Sequence, residues 1–187
     1  TTLPPAPHLL VEFHGSPGAV AEDVARFNAI AADHGGSALA QAERAEDRAR
    51  LWQMRHRAYP AILASRPGAR AIVTDCCVPI SQLAVAVEET AADIAASPIS
   101  GPILGHVGDG NFHAILLVDP ADPAEVAAAT ALADRMASRA LRLGGSVTGE
   151  HGIGFGKLKH MAAEHGPAWA VMGAVKRALD PLDLLNP

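Results

Sequence analysis

The sequence is poor in the features that mark two large classes of protein. Aromatic residues make up 4% of its 187 residues, too few for a surface on which nucleic-acid bases stack. Lys and Arg number 15 against 20 Asp and Glu, and this acidic balance argues against phosphate contacts. Charged residues or histidine interrupt every apolar run before it reaches the roughly 18 residues of a spanning helix. We therefore expect neither a nucleic-acid partner nor a transmembrane segment.

The cysteine content excludes a disulfide framework. The only two cysteines, Cys76 and Cys77, are adjacent, and neighbouring residues rarely reach disulfide geometry or provide zinc-finger spacing. The N-terminal stretch TTLPPAPHLL has no basic region ahead of its apolar part, unlike a signal peptide. These features predict a cytoplasmic protein, with both thiols buried and inert in a strand.

What the sequence does contain fits a compact domain. Hydrophobic residues account for 49% and charged residues for 19% of the chain, a balance that argues against disorder. The length suffices to bury a sizeable core. We therefore predict a single domain over residues 1–187.

The hydrophobic pattern predicts strands and helices in alternation. Strands are predicted at 9–13, 37–42, 71–79, and on both sides of Gly108-Asp109-Gly110. Helices are predicted at 19–34, 43–64, 80–97, 121–143 and twice near the C-terminus, with Pro60 shortening or kinking the second helix. Because the one clear strand connection is a tight hairpin, we expect an α+β fold with an antiparallel sheet.

The motif GHVGDGNFH at 105–113 carries the first candidate site residues. If Asp109 and Gly110 are the central residues of a type I′ turn, His106 lies directly opposite His113, with Cβ atoms about 4.5 to 5.5 Å apart. Two imidazoles in this arrangement can bind one divalent metal ion. The alternative is two histidines that only pack or hydrogen-bond near a turn.

The glycine-rich stretch GEHGIGFG at 149–156 carries the second set, Glu150 and His151. Neighbouring side chains on an extended backbone point in opposite directions, so Glu150 can turn to a metal while His151 faces another group. Two histidines and one carboxylate with open positions are typical of a catalytic metal site. The alternative is a flexible loop with surface charges, and the glycines do not follow a dinucleotide-binding pattern.

These two motifs and the closing LDPLDLLNP, in this order, resemble the C-terminal domain of FAD-linked oxidases. That family includes cytochrome-linked D-lactate dehydrogenase, D-2-hydroxyglutarate dehydrogenase and the FAD subunit of glycolate oxidase. The stretches at 51–62 and 73–83 resemble the same domain, so the likeness covers nearly the whole chain. It implies a ferredoxin-like antiparallel sheet covered by helices, which covers a flavin held by a separate N-terminal domain that this chain lacks.

The resemblance also implies an activity and a division of roles. The full enzyme is expected to oxidise a D-2-hydroxy acid, such as D-lactate or glycolate, to the 2-oxo acid with FAD, and this fragment alone is expected to be inactive. His106, His113 and Glu150 would bind zinc or manganese, which holds the hydroxyl and carboxylate of the substrate. His151 would be the general base that takes the hydroxyl proton while hydride leaves for the flavin.

Two further residues receive roles from the resemblance. Arg55 matches a family arginine and would clamp the substrate carboxylate; its alternative is an arginine on a helix surface. Asn186 matches the tail that returns to the flavin domain. Val73 and Ile115 stand where D-2-hydroxyglutarate dehydrogenases carry a lysine and an asparagine, which favours a monocarboxylate substrate such as D-lactate.

Two other functions remain open at this stage. One is a stand-alone divalent-metal-binding module without redox activity, and the other is a structural docking domain. A large exposed apolar face would suit the dehydrogenase or the docking domain. The sequence leaves open the electron acceptor, a homo-oligomeric assembly, and a peripheral membrane location of the full enzyme.

Overall fold

The computed structural model describes residues 6–37 and 40–186. The chain divides between Tyr59 and Pro60 into two compact units. The prediction of a single domain over 1–187 stays a prediction.

The first unit is helical. Helix α1 (Pro17–Asp33) begins after Ser16, whose side chain caps it by accepting a hydrogen bond from the backbone of Ala19. This agrees with the helix predicted at 19–34. The strand predicted at 9–13 is wrong, because that segment pairs with no strand in the described part of the chain. The strand predicted at 37–42 includes residues 38–39, which lie outside the described residues.

The helix predicted at 43–64 is divided into α2 (Ala45–His56) and α3 (Ala58–Ala64). The break falls at Arg57. Pro60 lies in the first turn of α3, where a missing backbone N–H costs no hydrogen bond. The proline therefore shortens the helix, as predicted, by starting a new one.

The second unit contains a small antiparallel sheet around one central strand. All eight residues of β4 (Asn111–Val118) are buried. Strands β1 (Arg70–Val73) and β2 (Cys76–Cys77) pair with one edge of β4, and β3 (Ile103–His106) pairs with its other edge. Ser146 forms an isolated antiparallel bridge to Cys77. This arrangement confirms the predicted antiparallel α+β fold.

Helices cover one face of this sheet. Helix α4 (Ile80–Ala95) links β2 to β3, and α5 (Pro123–Arg142) follows β4. Their apolar faces share one buried core with alternate side chains of β4, namely Phe112, Ala114, Leu116 and Val118. Strands β1 and β2 follow one another along the same edge of β4 and count as one interrupted strand. The chain order is then strand, helix, strand, strand, helix, followed by the bridge at Ser146, which is ferredoxin-like.

The remaining side chains of β4 lie on the opposite face of the sheet, because strand side chains alternate. Two of them are polar and nevertheless almost fully buried: Asn111 is 6% exposed and His113 is 6% exposed. Buried polar groups require partners. This face of the sheet is therefore a candidate binding site.

The C-terminal segment completes the second unit. The stretch 145–156 forms a loop, as predicted, and is followed by a 3₁₀ turn (Leu158–His160), α6 (Met161–His165) and α7 (Ala168–Leu179). None of the helices in the described ranges is both long and apolar enough to cross a membrane.

Candidate metal centre

The hairpin between β3 and β4 has a different register from the predicted one. His106 lies opposite Asn111 rather than His113, so four residues form the loop between the strands. The N–H of Asp109 donates to the carbonyl of His106 at 2.9 Å, and Gly110 follows with a left-handed φ of 75°. The predicted two-residue turn is therefore wrong. His106 and His113 are diagonal neighbours, but they still share one face of the sheet.

Glu150 joins the two histidines on that face. Its Oε1 atom lies 3.0 Å from Nε2 of His113 and 3.5 Å from Nε2 of His106. The two rings are nearly perpendicular, with centroids 5.9 Å apart. Each of the three residues offers a ligand atom within 4.8 Å of the other two. The structure thus brings together the three side chains predicted to bind a metal.

A backbone carbonyl orients the His113 ring. Nδ1 of His113 lies 3.0 Å from the carbonyl oxygen of Thr74, which can only accept a hydrogen bond, so Nδ1 carries the hydrogen. When the ring is neutral, Nε2 presents its lone pair to the carboxylate of Glu150. Two such electron-rich atoms at 3.0 Å need a proton or a cation between them. A carbonyl behind a histidine is the usual support for a metal ligand.

His151 lies beside this cluster instead of facing away from it. Its ring stacks on His113 with centroids 5.0 Å apart and an angle of 13° between the planes. Its Nε2 atom lies 3.9 Å from Oε1 of Glu150. The expectation of opposite directions fails because the backbone bends at 149–151 rather than extending.

The backbone of the loop that carries Glu150 and His151 is hydrogen-bonded to the carboxylate of Asp75, a residue that was not predicted from the sequence. Asp75 lies between β1 and β2 and is 1% exposed. It accepts hydrogen bonds from the backbone N–H groups of Gly149 at 2.9 Å and His151 at 3.0 Å, and from the Thr148 hydroxyl at 2.8 Å. The signal in the sequence was a charged residue inside the apolar run AIVTDCCVP.

Asp75 is ionised despite its burial. Burial by itself would raise the pKa of the carboxyl. Hydrogen bonds from the Asn111 amide, the backbone of His151 and the Thr148 hydroxyl, and the positive charge of Lys157, outweigh that effect and hold the pKa far below its ordinary value. The carboxylate is therefore a fixed negative charge under the loop.

A second group of ligand atoms is less suited to a metal. Asp75, His113 and His151 also offer atoms within 4.8 Å of one another. However, both oxygens of Asp75 already accept hydrogen bonds, Oδ1 from Asn111 and Oδ2 from the loop. Glu150, by contrast, is 53% exposed and free to turn to an ion. The better-suited ligands are the two hairpin histidines and Glu150.

A cavity opens beside these ligands. It is lined by Cys77, His106, Asp109, Asn111, Gly149 and Glu150. The side-chain oxygen of Asn111 is buried and has no hydrogen-bond partner in the described ranges. An unpaired buried acceptor next to an open cavity is a feature of ligand-binding sites.

The remaining predicted residues belong to other elements. Arg55 is in the last turn of α2 in the first unit, and Asn186 is exposed in the C-terminal tail with a left-handed φ of 49°. Their roles stay predictions. Cys76 is buried as predicted, and burial raises the pKa of its thiol to about 12, whereas Cys77 is only partly buried.

Comparison with known proteins agrees with the family suggested by the motifs. Residues 3–187 match the family described as FAD linked oxidases, C-terminal domain. A probable mitochondrial D-lactate dehydrogenase of Danio rerio is 49% identical over 97% of this chain, and a mitochondrial cytochrome D-lactate dehydrogenase of Arabidopsis thaliana is 38% identical over 99%. A glycolate oxidase subunit of Escherichia coli is 33% identical over 96%.

The matched regions are only part of those relatives. They cover 37%, 33% and 36% of the respective proteins, so the chain spans about a third of their length. Two of the three are named as mitochondrial, and the cytoplasmic location predicted above stays a prediction. A match over nearly the whole length of this chain establishes its family: the chain belongs to the C-terminal domains of FAD-linked oxidases.

Proposed function

We propose that this chain is the substrate- and metal-binding domain of an FAD-dependent dehydrogenase that oxidises a D-2-hydroxy acid to the 2-oxo acid. The observation that carries the proposal is the convergence of ligand atoms from His106, His113 and Glu150 within 4.8 Å, with a further imidazole beside them. The family and the names of the relatives support a flavin-linked reaction of a hydroxy acid.

The donor set fits a divalent ion such as zinc or manganese. Two imidazole nitrogens and one carboxylate oxygen suit both metals, and three protein ligands leave positions open for a substrate. The 3.0 Å approach of His113 Nε2 to Glu150 Oε1 requires a proton or a cation between them, and a bound divalent ion would meet that requirement. When bound, the ion would supply Lewis acidity that lowers the pKa of a substrate hydroxyl.

His151 is the proposed general base. Its ring lies against His113, and its side chain is 47% exposed, so a proton taken from the substrate hydroxyl can pass on to solvent. FAD, held mainly by another domain, would accept the hydride. His151 therefore handles the proton, while His106, His113 and Glu150 fix the site.

Further residues are proposed to contact the substrate carboxylate, to limit the substrate to one carboxylate and to contact the flavin domain. Arg55 is proposed to clamp the substrate carboxylate through its planar guanidinium. Val73 and Ile115 are apolar and would give a second carboxylate no partner, which favours a monocarboxylate such as D-lactate. Asn186 is proposed to contact the flavin domain.

An exposed apolar surface supports a flavin-binding partner domain. On α7, Val171, Val175 and Leu179 recur every four residues and are 63%, 53% and 80% exposed. The tail adds further exposed leucines: Leu182, Leu184 and Leu185. Exposed apolar residues that recur along one helix face are typical of an interface. A stand-alone metal module has no need of it.

The experiment that tests this function is a metal titration followed by addition of substrate. After chelation, the chain should bind one Mn²⁺ or Zn²⁺ ion, measured by calorimetry and elemental analysis. D-lactate should then bind the metal-loaded chain, because its hydroxyl and carboxylate can both reach the ion, whereas propionate, which lacks the hydroxyl, should bind at least about tenfold more weakly.

Two outcomes would contradict the proposal. If no ion binds, the predicted ligands do not form a metal site. If metal binds but D-lactate adds no more than propionate, the result favours a metal-binding module without a role in hydroxy-acid oxidation.

A further inference from the structure

We propose that Asp75 is the positioning residue of this site: its buried carboxylate holds both ends of the segment 148–157 and sets where Glu150 and His151 point. The inference rests on the proposed function, since it takes Glu150 as a ligand and His151 as the base. Asp75 acts through the backbone of these residues, not as a ligand itself.

The near end of the segment is held by four consecutive residues. The hydroxyl of Thr148 and the backbone N–H groups of Gly149, Glu150 and His151 all donate to Oδ2 of Asp75, at 2.8, 2.9, 3.2 and 3.0 Å. Successive N–H groups that converge in this way form a concave anion-binding site. Here the anion is a side chain of the protein.

The far end of the segment is held by an ion pair between Lys157 and Asp75. Nζ of Lys157 donates to Oδ2 of Asp75 at 3.2 Å and to its backbone carbonyl at 3.1 Å. The Lys157 side chain is only 25% exposed, so this pair is partly shielded from solvent. Oγ1 of Thr148, whose one hydrogen is donated to Asp75, also lies 3.1 Å from the carbonyl oxygen of Gly152. Both ends of the segment 148–157 thus bind the carboxylate of Asp75.

Asp75 is itself fixed from the strand that carries His113. The amide of Asn111 donates to Oδ1 of Asp75 at 2.9 Å and to the carbonyl of Cys76 at 3.0 Å. One carboxylate therefore joins β4, which carries His113, to the loop that carries Glu150 and His151. This connection is what a positioning role requires.

The geometry favours positioning over a purely structural role. The side chains of Glu150 and His151 are 53% and 47% exposed, so solvent leaves them free to reorient. Their backbone, by contrast, is anchored at each N–H. The hydrogen bonds to Asp75 therefore fix the backbone from which both side chains project, and this limits the directions that the side chains can take. Loss of a group that orients metal ligands typically weakens metal binding 10- to 100-fold.

The test compares Asp75→Asn with Arg139→Gln in the 187-residue chain. Asp75→Asn keeps the size of the side chain but removes the charge and one acceptor. Arg139 is 10% exposed and bonds Glu89 and Asp93 between α4 and α5, so its substitution removes a comparable network outside the loop. We expect Asp75→Asn to raise the Mn²⁺ dissociation constant about 10- to 100-fold. Arg139→Gln should lower stability and leave that constant unchanged.

A readout without metal separates this inference from the proposed function. In the metal-free chain, amide hydrogen exchange at 149–151 should be about tenfold faster or more in Asp75→Asn than in Arg139→Gln. If the wild type binds no Mn²⁺, the proposed function fails. Amide hydrogen exchange still tests whether Asp75 holds the backbone of residues 149–151. The inference would be overturned if Asp75→Asn left amide exchange at 149–151 unchanged. It would also be overturned if the wild type bound Mn²⁺ and Asp75→Asn bound it with the same affinity. Thr148→Val, which removes one donor, replaces Asp75→Asn if that variant does not fold, with a smaller change in the same direction.

Discussion

At the scale of single residues, the site depends on how closely the loop approaches the strand. A Cβ atom on Gly149 would lie 1.7 Å from the side-chain nitrogen of Asn111 and 3.1 Å from a carboxylate oxygen of Asp75. Only glycine leaves room for both hydrogen-bonded side chains. This explains why a glycine directly precedes the proposed ligand Glu150.

Gly149→Ala is expected to destabilise the protein. Either the loop or the Asn111 side chain must move, and overpacking of this kind costs about 1–3 kcal/mol. Gly154→Ala is the matched control, because a Cβ there meets no atom within 4 Å. Denaturant unfolding should give a lower midpoint for Gly149→Ala and a midpoint near wild type for Gly154→Ala. Equal midpoints for the two variants would show that the loop does not pack as described.

The residue types at the site were readable from the sequence, but their partners were not. His106, His113 and Glu150 stand in two motifs whose chemistry is recognisable. Asp75, however, draws its hydrogen bonds from residues 36 to 82 positions away. No local pattern carries that information, because it depends on how the sheet and the loop meet.

At the scale of elements, the long periodic helices and the two strands of the hairpin were predictable, but the run at 9–13 and the hairpin register were not. Helices α1, α4 and α5 match their predicted positions, since each repeats its apolar face over several turns. The run at 9–13 is apolar but finds no strand partner in the described part of the chain. The hairpin register failed because Gly108-Asp109-Gly110 allows a two-residue or a four-residue loop.

The end of α7 provides a test of electrostatics in one element. Asp180 pairs with Lys176 and accepts the N–H groups of Leu184 at 2.9 Å and Leu185 at 2.8 Å. The hydrogen bond from Lys176, followed by those from the two leucines, lowers the pKa of Asp180 to about 2. The carboxylate thus fixes the tail to the helix.

The pH dependence follows from the sign of that shift. Because the folded pKa lies below the ordinary value of about 3.9, the stabilisation is complete above pH 4 and is lost as the pH falls towards 2. The amide NMR shifts of Leu184 and Leu185 should therefore titrate near pH 2 and not near 4. The transition should vanish in Asp180→Asn. A midpoint near pH 4 would contradict the contact.

At the scale of the whole molecule, the chain is proposed to supply one side of a reaction centre. The proposed ligands and base lie on one face of the sheet, while the apolar stripe of α7 and the tail leucines remain exposed. The curated relatives are about three times longer than this chain. These facts agree with a domain that packs on a flavin-binding partner domain, as the resemblance implied.

Three side chains are proposed to bind the metal, whereas His151, although adjacent, is proposed to serve as the base. The most direct test is the Mn²⁺ dissociation constant of the wild type, His113→Ala and His151→Ala, measured by calorimetry. His113→Ala removes a buried ligand and should weaken binding by more than about 100-fold, a larger loss than removal of an orienting partner causes. His151→Ala should bind within about threefold of the wild type, a difference below 1 kcal/mol. Equal losses in the two variants would contradict the division into ligands and base.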